Sequence, residues 1–283
     1  MVKKVSSKQL YLDTKKRFSS ANYIDECEAM ILVCHICKLK KEQVLIDDVL
    51  VDETLKLTLI ELVNKRIRHY PLQYILGEWE FYGNTFLVGE GVLIPRQDTE
   101  TLVDVSLAVL KDVKSPKILD LCSGSGCVGI SLAKALKKQN PTVILLEKSK
   151  IALDYSNKNA KLNDVSCTII EDDVLAPITT DSEFDIIVSN PPYLTSEDMK
   201  SLQSEVAFEP EMALYGLQND GLLFYEKIVQ NFTDRLKVGG IMAFEVGISQ
   251  APAVENIFLK NGYNSICHKE DLCGIIRIVF ACK

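Results

Sequence analysis

The chain predicts an α/β fold: a doubly wound, mostly parallel sheet, preceded by a small N-terminal helical bundle and joined to it by a β-hairpin. Three observations carry that expectation. From Pro116 onward short apolar runs alternate with helical stretches, the pattern of strands paired in parallel and covered on both faces. In residues 1–75 the apolar positions instead recur at three and four. Between the two, residues 76–105 alternate apolar and polar side chains with aromatics and glycines. A length of 283 residues suits two domains.

Taken in order, the helical domain shows one stripe at Ile24, Cys27, Ile31 and Cys34, and a second at Leu55, Leu59, Val63 and Ile67. Cys34 and Cys37, in "CHIC", have the spacing of a metal or redox site. No second pair answers them and Cys34 continues the first stripe, so core packing is the expected role. His35 lies off that stripe and is expected in solvent. The connector contains "EFYGNTFLVGEGVLIP" (80–95) and is expected to form a hairpin. Residues 106–283 then offer strands at "KILDL", "TVILLE", "CTII", "FDIIVS", "IMAFEV" and "IIRIVFA". Helices are expected from about Val128, over Ile151 to Leu162, over Leu222 to Leu236, and before the last strand.

The charge balance is acidic, with 39 Asp plus Glu against 32 Lys plus Arg, which argues against a protein whose affinity rests on neutralising many phosphates. Nine cysteines, an odd number without framework spacing, suit free thiols in a reducing compartment, so a cytoplasmic location is expected. The start "MVKKVSSKQL" has charges but no apolar stretch behind them, and no run approaches the roughly 18 apolar residues of a membrane span. Neither an export signal nor a membrane anchor is expected.

Ligands of doubly wound sheets bind at the carboxyl ends of the strands, near the point where strand order reverses. After "KILDL" comes "CSGSGCVGI", in which Gly124, Gly126 and Gly129 satisfy G-x-G-x-x-G, a weak signal alone. Such a turn lets backbone approach a ligand, and the following helix offers free amides to an anionic group. Cys122, Ser123 and Ser125 complete the loop. Glu147 ends the second strand, where a carboxylate can accept from both hydroxyls of a ribose. Asp120 precedes the loop, placed to orient its amides or to meet an ammonium, and an acid placed first, as in D-x-G-x-G-x-G, marks sheets that bind S-adenosylmethionine; Cys122 stands in the first glycine position. In "EDDVLAP", Asp173 and Val174 are placed to bracket an adenine, although an ordinary acidic loop would look the same.

"IIVSNPPYL" (186–194) follows as an apolar run cut short by two prolines, which cannot hold inner ladder positions. The fourth strand of such a sheet lies beside the first, so this tip is expected across from the glycine loop. A planar nitrogen is a poor nucleophile because its lone pair is delocalised. The Asn190 side-chain oxygen and the Pro191 carbonyl can accept both protons of an NH2 group and aim its nitrogen. Pro191 and Pro192 stiffen the turn before substrate arrives, and Tyr193 supplies a flat face. By itself Asn-Pro-Pro is also simply a favourable turn.

With these residues in view the sequence resembles a known family, the protein-(glutamine-N5) methyltransferases of peptide chain release factors (PrmC, or HemK-like). The likeness covers nearly the whole chain. It rests on "PLQYILGEWEFYG" (71–83), "VLIPRQDTE" (92–100), "ILDLCSGSG" (118–126), "IIVSNPPY" (186–193), "EVAFEPEMAL" (205–214) with "DGL" after it, and "FEVGISQ" (244–250).

The resemblance implies a Rossmann-like S-adenosylmethionine-dependent methyltransferase domain and methylation of the glutamine amide in the Gly-Gly-Gln (GGQ) loop of a release factor, with S-adenosylhomocysteine as product. By position, Cys122 to Gly126 would line the methionine part of the cofactor, Glu147 the ribose, Val174 the adenine, and Asn190 to Tyr193 the glutamine amide. The helical domain would meet the release factor, and a monomer is expected. The family usually reads P-R-P-E-T-E where this chain has Arg96, Gln97 and Asp98.

Three alternatives remain at this stage. An amino-methyltransferase of DNA or ribosomal RNA would share the Asn-Pro-Pro-Tyr chemistry but needs a basic surface. A dehydrogenase would use the glycines but not that tetrapeptide. A binding module would keep the fold without the reaction.

Overall fold

The computed structural model describes residues 3–21, 23–176, 183–271 and 273–283. These form two compact units, Met1–Gly77 with Ser204–Phe208, and Glu78–Gln203 with Glu209–Lys283.

The first unit contains β1 (Lys4–Ser6), α1 (Ser7–Ser19), α2 (Cys27–Cys37), β2 (Leu50–Asp52), α3 (Thr54–Ile67) and α4 (Leu72–Leu76). Ser6 caps α1 by accepting from the Gln9 amide at 2.9 Å, and Lys16 and Arg17 occupy its last turn, where cations suit the helix dipole. The two strands pair antiparallel with Val5 opposite Val51; at three residues each they are too short to leave a periodic signal. Leu55, Leu59, Val63 and Ile67 all reach the core of this unit, as their spacing predicts.

The first expected stripe holds at Ile24 and Cys34, which reach the core of this unit, and is corrected at its other two positions. Cys27 and Ile31 are exposed, and α2 buries Ala29, Leu32 and Val33 instead. The segment "CEAMILVCHIC" is apolar on several sides and Ile24 precedes the helix, so spacing alone does not select its inner face. Cys34 and Cys37 pack partly buried against the core, and His35 is exposed. Arg66, 3% exposed, has its charge matched: Nη2 donates to Glu28 at 2.9 Å and meets Glu205 at 2.8 Å. A buried guanidinium without such partners would cost several kcal/mol, about 3–5.

The second unit opens with the hairpin β3 (Glu78–Phe81) and β4 (Asn84–Leu87), followed by α5 (Glu100–Leu110). Phe81 and Phe86 meet edge to face at 6.0 Å and are buried in the core shared with α5. The sheet then runs β5 (Lys117–Leu121), α6 (Cys127–Ala135), β6 (Thr142–Glu147), α7 (Lys150–Leu162), β7 (Thr168–Glu171), β8 (Phe184–Ser189), α8 (Leu223–Phe232), β9 (Leu236–Glu245), α9 (Ala251–Lys260), β10 (Ser265–Glu270) and β11 (Ile276–Cys282). Strand order is β10-β11-β9-β8-β5-β6-β7. The neighbours from β7 to β9 are parallel, and β11 and β10 add antiparallel to the β9 side.

Residues of β5 and β8 feed both faces, which is why they read as continuous apolar runs. Leu119 and Ile187 point to one core with α8 and α9, and Ile118, Ile186 and Val188 to the other with α5 and α6. The helix expected over Leu222 to Leu236 ends at Phe232, passes through a 3-10 turn, and gives way to β9 from Leu236. β10, "SICHKE", is a mostly exposed edge strand whose polar composition hides it from the sequence pattern. Among the described residues no helix is long and apolar enough to cross a membrane.

Candidate active site

Strand order reverses at β5, which lies between β6 and β8. Leu121 pairs with Leu146 on one side and Ser189 on the other, so the glycine loop, Glu147 and Asn190 leave the sheet at the same edge. Ser189 Oγ donates to the Leu121 carbonyl at 2.8 Å and ties the first and fourth tips together.

The glycine loop is held from three directions. The amide of Gly124 donates to Glu147 Oε2 at 2.9 Å, Ser156 Oγ donates to the Gly124 carbonyl at 2.7 Å, and Asn159 Nδ2 donates to the Ser125 carbonyl at 2.9 Å. Cys122 takes φ 55°, a left-handed conformation that costs a non-glycine residue roughly 1–2 kcal/mol and explains why its pattern position favours glycine. Glu147 Oε1 accepts from the Ser149 amide at 2.8 Å. Each carboxylate oxygen thus takes one backbone N–H and keeps a second lone pair for a ligand hydroxyl.

Asp120 is 2% exposed and does not reach the loop amides; its Oδ2 accepts from the Gly129 amide at 2.8 Å, inside α6. Burial pushes its carboxyl up to about 7, with the Gly129 bond opposing and Glu147 adding to the rise. Asp173 forms an ion pair with Lys148 at 2.8 Å and accepts from the Leu175 amide at 3.0 Å. Burial opposes its ionisation, but Lys148 and that amide leave its pKa below the ordinary value.

Asn190 and Pro192 line the same cleft as Asp120, Glu147, Asp173 and Val174. Its empty space is about 1160 Å³, counting its open mouth. Pro191 is buried. The Tyr193 ring packs against the core beside β8, and its hydroxyl donates to Glu245 Oε1 at 3.3 Å. Asn190 Nδ2 donates to Thr99 Oγ1 at 3.2 Å, and Thr99 Oγ1 in turn donates to Glu245 Oε2.

Thr99 and Glu245 were not singled out from the sequence, although "VLIPRQDTE" and "FEVGISQ" contain them. The available signal was a glutamate closing a buried apolar strand, where an unpaired carboxylate would be costly. Glu209 was missed likewise: its two oxygens take the Ile94 amide at 2.9 Å and the Arg96 guanidinium, joining the loop before α5 to the cleft wall at Pro210. Asp98, where the resembled family carries glutamate, pairs with Arg277 at 3.0 Å.

Comparison with known proteins agrees in both units. The model of the Methyltransferase small domain matches residues 98–240, and that of the PrmC N-terminal domain matches residues 9–77. A release factor glutamine methyltransferase of Thermodesulfovibrio yellowstonii is 36% identical over 90% of this chain and 92% of its own. A release factor glutamine methyltransferase of Fusobacterium nucleatum is 41% identical over 78% of this chain, a match that spans 62% of that longer protein. Among solved structures, the 16S rRNA N2 G1207 methyltransferase of T. thermophilus, in complex with AdoMet and guanosine, superposes with a TM-score of 0.51 at 18% identity, covering 73% of this chain and 49% of that one. It shares the fold. The sequence matches, which run through both the helical segment and the sheet, show that this chain belongs to the release factor glutamine methyltransferase family.

Proposed function

We propose that this protein transfers a methyl group from S-adenosylmethionine to the side-chain amide nitrogen (N5) of the glutamine in the Gly-Gly-Gln loop of a peptide chain release factor. The observation that carries the reading is the convergence of Asn190 with the glycine loop and Glu147 on one cleft. The residues present fit the cofactor: Glu147 keeps acceptor capacity for a ribose, and the buried Ser123 Oγ has no partner among the described residues. Glu147 would hold the ribose, Cys122 to Gly126 the methionine portion, and Asp173 and Val174 the adenine, with Asp120 bracing the loop from behind through α6.

S-adenosylmethionine, when bound, supplies an electrophilic methyl whose bonding pair to sulfur stays with the sulfur. Asn190 Oδ1 and the Pro191 carbonyl accept the two amide protons of the substrate glutamine and fix its nitrogen in line with that methyl. The nitrogen lone pair forms the new C–N bond. The methylated nitrogen, now cationic and strongly acidic, releases one proton to water at the cleft mouth. The prolines keep the acceptors in place beforehand, so little reorganisation accompanies the reaction. Both the cofactor loop and the amide-holding turn come from one unit of one chain, which favours a monomer, and a translation factor as substrate favours a cytoplasmic location. Residues 1–75 are assigned to release-factor recognition, 76–105 to the connector and 106–283 to the transferase.

Labelled S-adenosylmethionine tests this with three acceptors: release factor, a copy with the loop glutamine replaced, and duplex DNA. Label on the intact factor alone is expected. Label on DNA and none on the factor would overturn it.

A further inference from the structure

An asparagine amide has two ends that differ by a rotation of half a turn. Only one of the two orientations presents an acceptor to a substrate NH2 group, and the other presents a donor that repels it. The Asn190 backbone therefore does not by itself make the site competent. Something must choose the orientation.

The choice is made behind the turn. Thr99 is 2% exposed and Glu245 is 2% exposed, and the two join residues 146 positions apart in the chain. A threonine hydroxyl has one proton to give. Here it goes to Glu245 Oε2, so Thr99 Oγ1 faces Asn190 only with lone pairs and must receive a proton from it. Nδ2 is accordingly the end of Asn190 that meets Thr99, at 3.2 Å, and Oδ1 is the end left for substrate. The second oxygen of the same carboxylate accepts from Tyr193 at 3.3 Å, so one buried acid orients both ends of the Asn-Pro-Pro-Tyr turn. Burial raises the Glu245 carboxyl to about 7, with the Thr99 and Tyr193 hydroxyls and Arg277 favouring its ionised form and Asp98 opposing it; the relay operates in that ionised form.

We propose that Thr99 and Glu245 are positioning residues for methyl transfer, acting as a buried relay of hydrogen-bond polarity that fixes the Asn190 amide with its oxygen toward the substrate nitrogen. This rests on the amide-methylation reading above and adds to it the residues that make Asn190 an acceptor.

The test compares Thr99→Val, which keeps shape and removes the hydroxyl, with Thr99→Ser, which restores it, each also in an Asn190→Ala background. Single-turnover methylation of release factor and calorimetric S-adenosylmethionine binding are measured for all. Thr99→Val is expected to lower the methylation rate about 10-fold or more, by analogy with loss of one oriented group at a reacting centre, with cofactor affinity within about 2-fold. Thr99→Ser is expected within about 3-fold of the native rate. With Asn190→Ala already present, Thr99→Val should cause no further loss, because residues acting as a unit are not additive.

A native rate in Thr99→Val, or an equal loss with and without Asn190, would overturn the relay. If native protein methylates no release factor at all, the functional reading fails instead, and cofactor binding by the same variants shows that the fold is intact.

Discussion

Gln250 donates its Nε2 to the carbonyl of Tyr193 at 3.0 Å. The same group reaches the Asp220 carbonyl at 3.1 Å, while Oε1 accepts from the Gly247 amide at 3.0 Å. Three backbone segments meet on one side chain. Gly221 makes this possible: it has φ 69°, and a Cβ there would overlap the Tyr193 carbonyl oxygen. Prolines stiffen the turn from within and Gln250 clamps it from outside. Gln250→Leu leaves those backbone groups unpaired, with an expected loss of about 1–3 kcal/mol in urea unfolding. The rate of methyl transfer should fall along with it while cofactor affinity holds; an unchanged rate would restrict Gln250 to a structural role.

Gly129 illustrates a different need. A Cβ there would drive into Leu145 and come within 3.0 Å of Asp120 Oδ2, so this glycine lets α6 lie close against β5 and β6. Gly129→Ala is expected to cost about 1–3 kcal/mol as overpacking. Because the displaced helix begins beside the glycine loop, S-adenosylmethionine binding should weaken as well. Calorimetry alongside urea unfolding separates the two effects, and unaltered stability would show that the helix moves freely.

Much of this site was visible in sequence because its parts occupy strand tips. The apolar runs of β5, β6 and β8 are buried on both faces and therefore unbroken, so the residues after them could be named as ligand-facing. The polarity relay was not visible. Thr99 and Glu245 are ordinary residue types separated by most of the second unit, and only the parallel pairing of β8 with β9, Ser189 opposite Phe244, brings Glu245 beside the Asn-Pro-Pro-Tyr turn. Asp120 shows the reverse: its location was legible, but its partner is the amide of Gly129, one helical turn beyond the loop it was expected to organise. In α2, a nearly all-apolar sequence concealed which side faces inward.

On the proposed reading, Glu147 serves cofactor and loop with one group. Its oxygens already hold the Gly124 and Ser149 amides, so the Glu147→Ala change removes ribose acceptors and releases the loop together. S-adenosylmethionine affinity is expected to fall about 10- to 100-fold, the equivalent of losing one or two hydrogen bonds to a charged group. Glu147→Gln, which keeps one acceptor oxygen, should fall between alanine and native. Equal affinities in calorimetry would remove Glu147 from the cofactor site.

Two buried acids give the folded protein a distinct pH dependence. Burial raises Asp120 from 3.8 to about 7 and Glu245 from 4.5 to about 7. The groups facing Glu245 are Thr99, Tyr193 and Arg277, which favour its ionised form, and Asp98, which opposes it. Across that window the folded state holds protons that the unfolded chain has released, so stability must decline as pH rises. The contribution of each acid is complete below its unfolded value and is lost as pH passes through about 7. Asp120→Asn and Glu245→Gln cannot titrate. Each is therefore expected to look worse relative to native protein at pH 5 than at pH 8, measured by urea unfolding without cofactor. Glu245→Gln should also lose the acid limb of the native rate profile, since a protonated Glu245 can itself donate to Thr99, which frees the Thr99 proton to face Asn190 and removes the fixed direction of its amide. A stability difference that stays constant with pH would mean that these carboxyls titrate in the folded protein as they do in the unfolded chain.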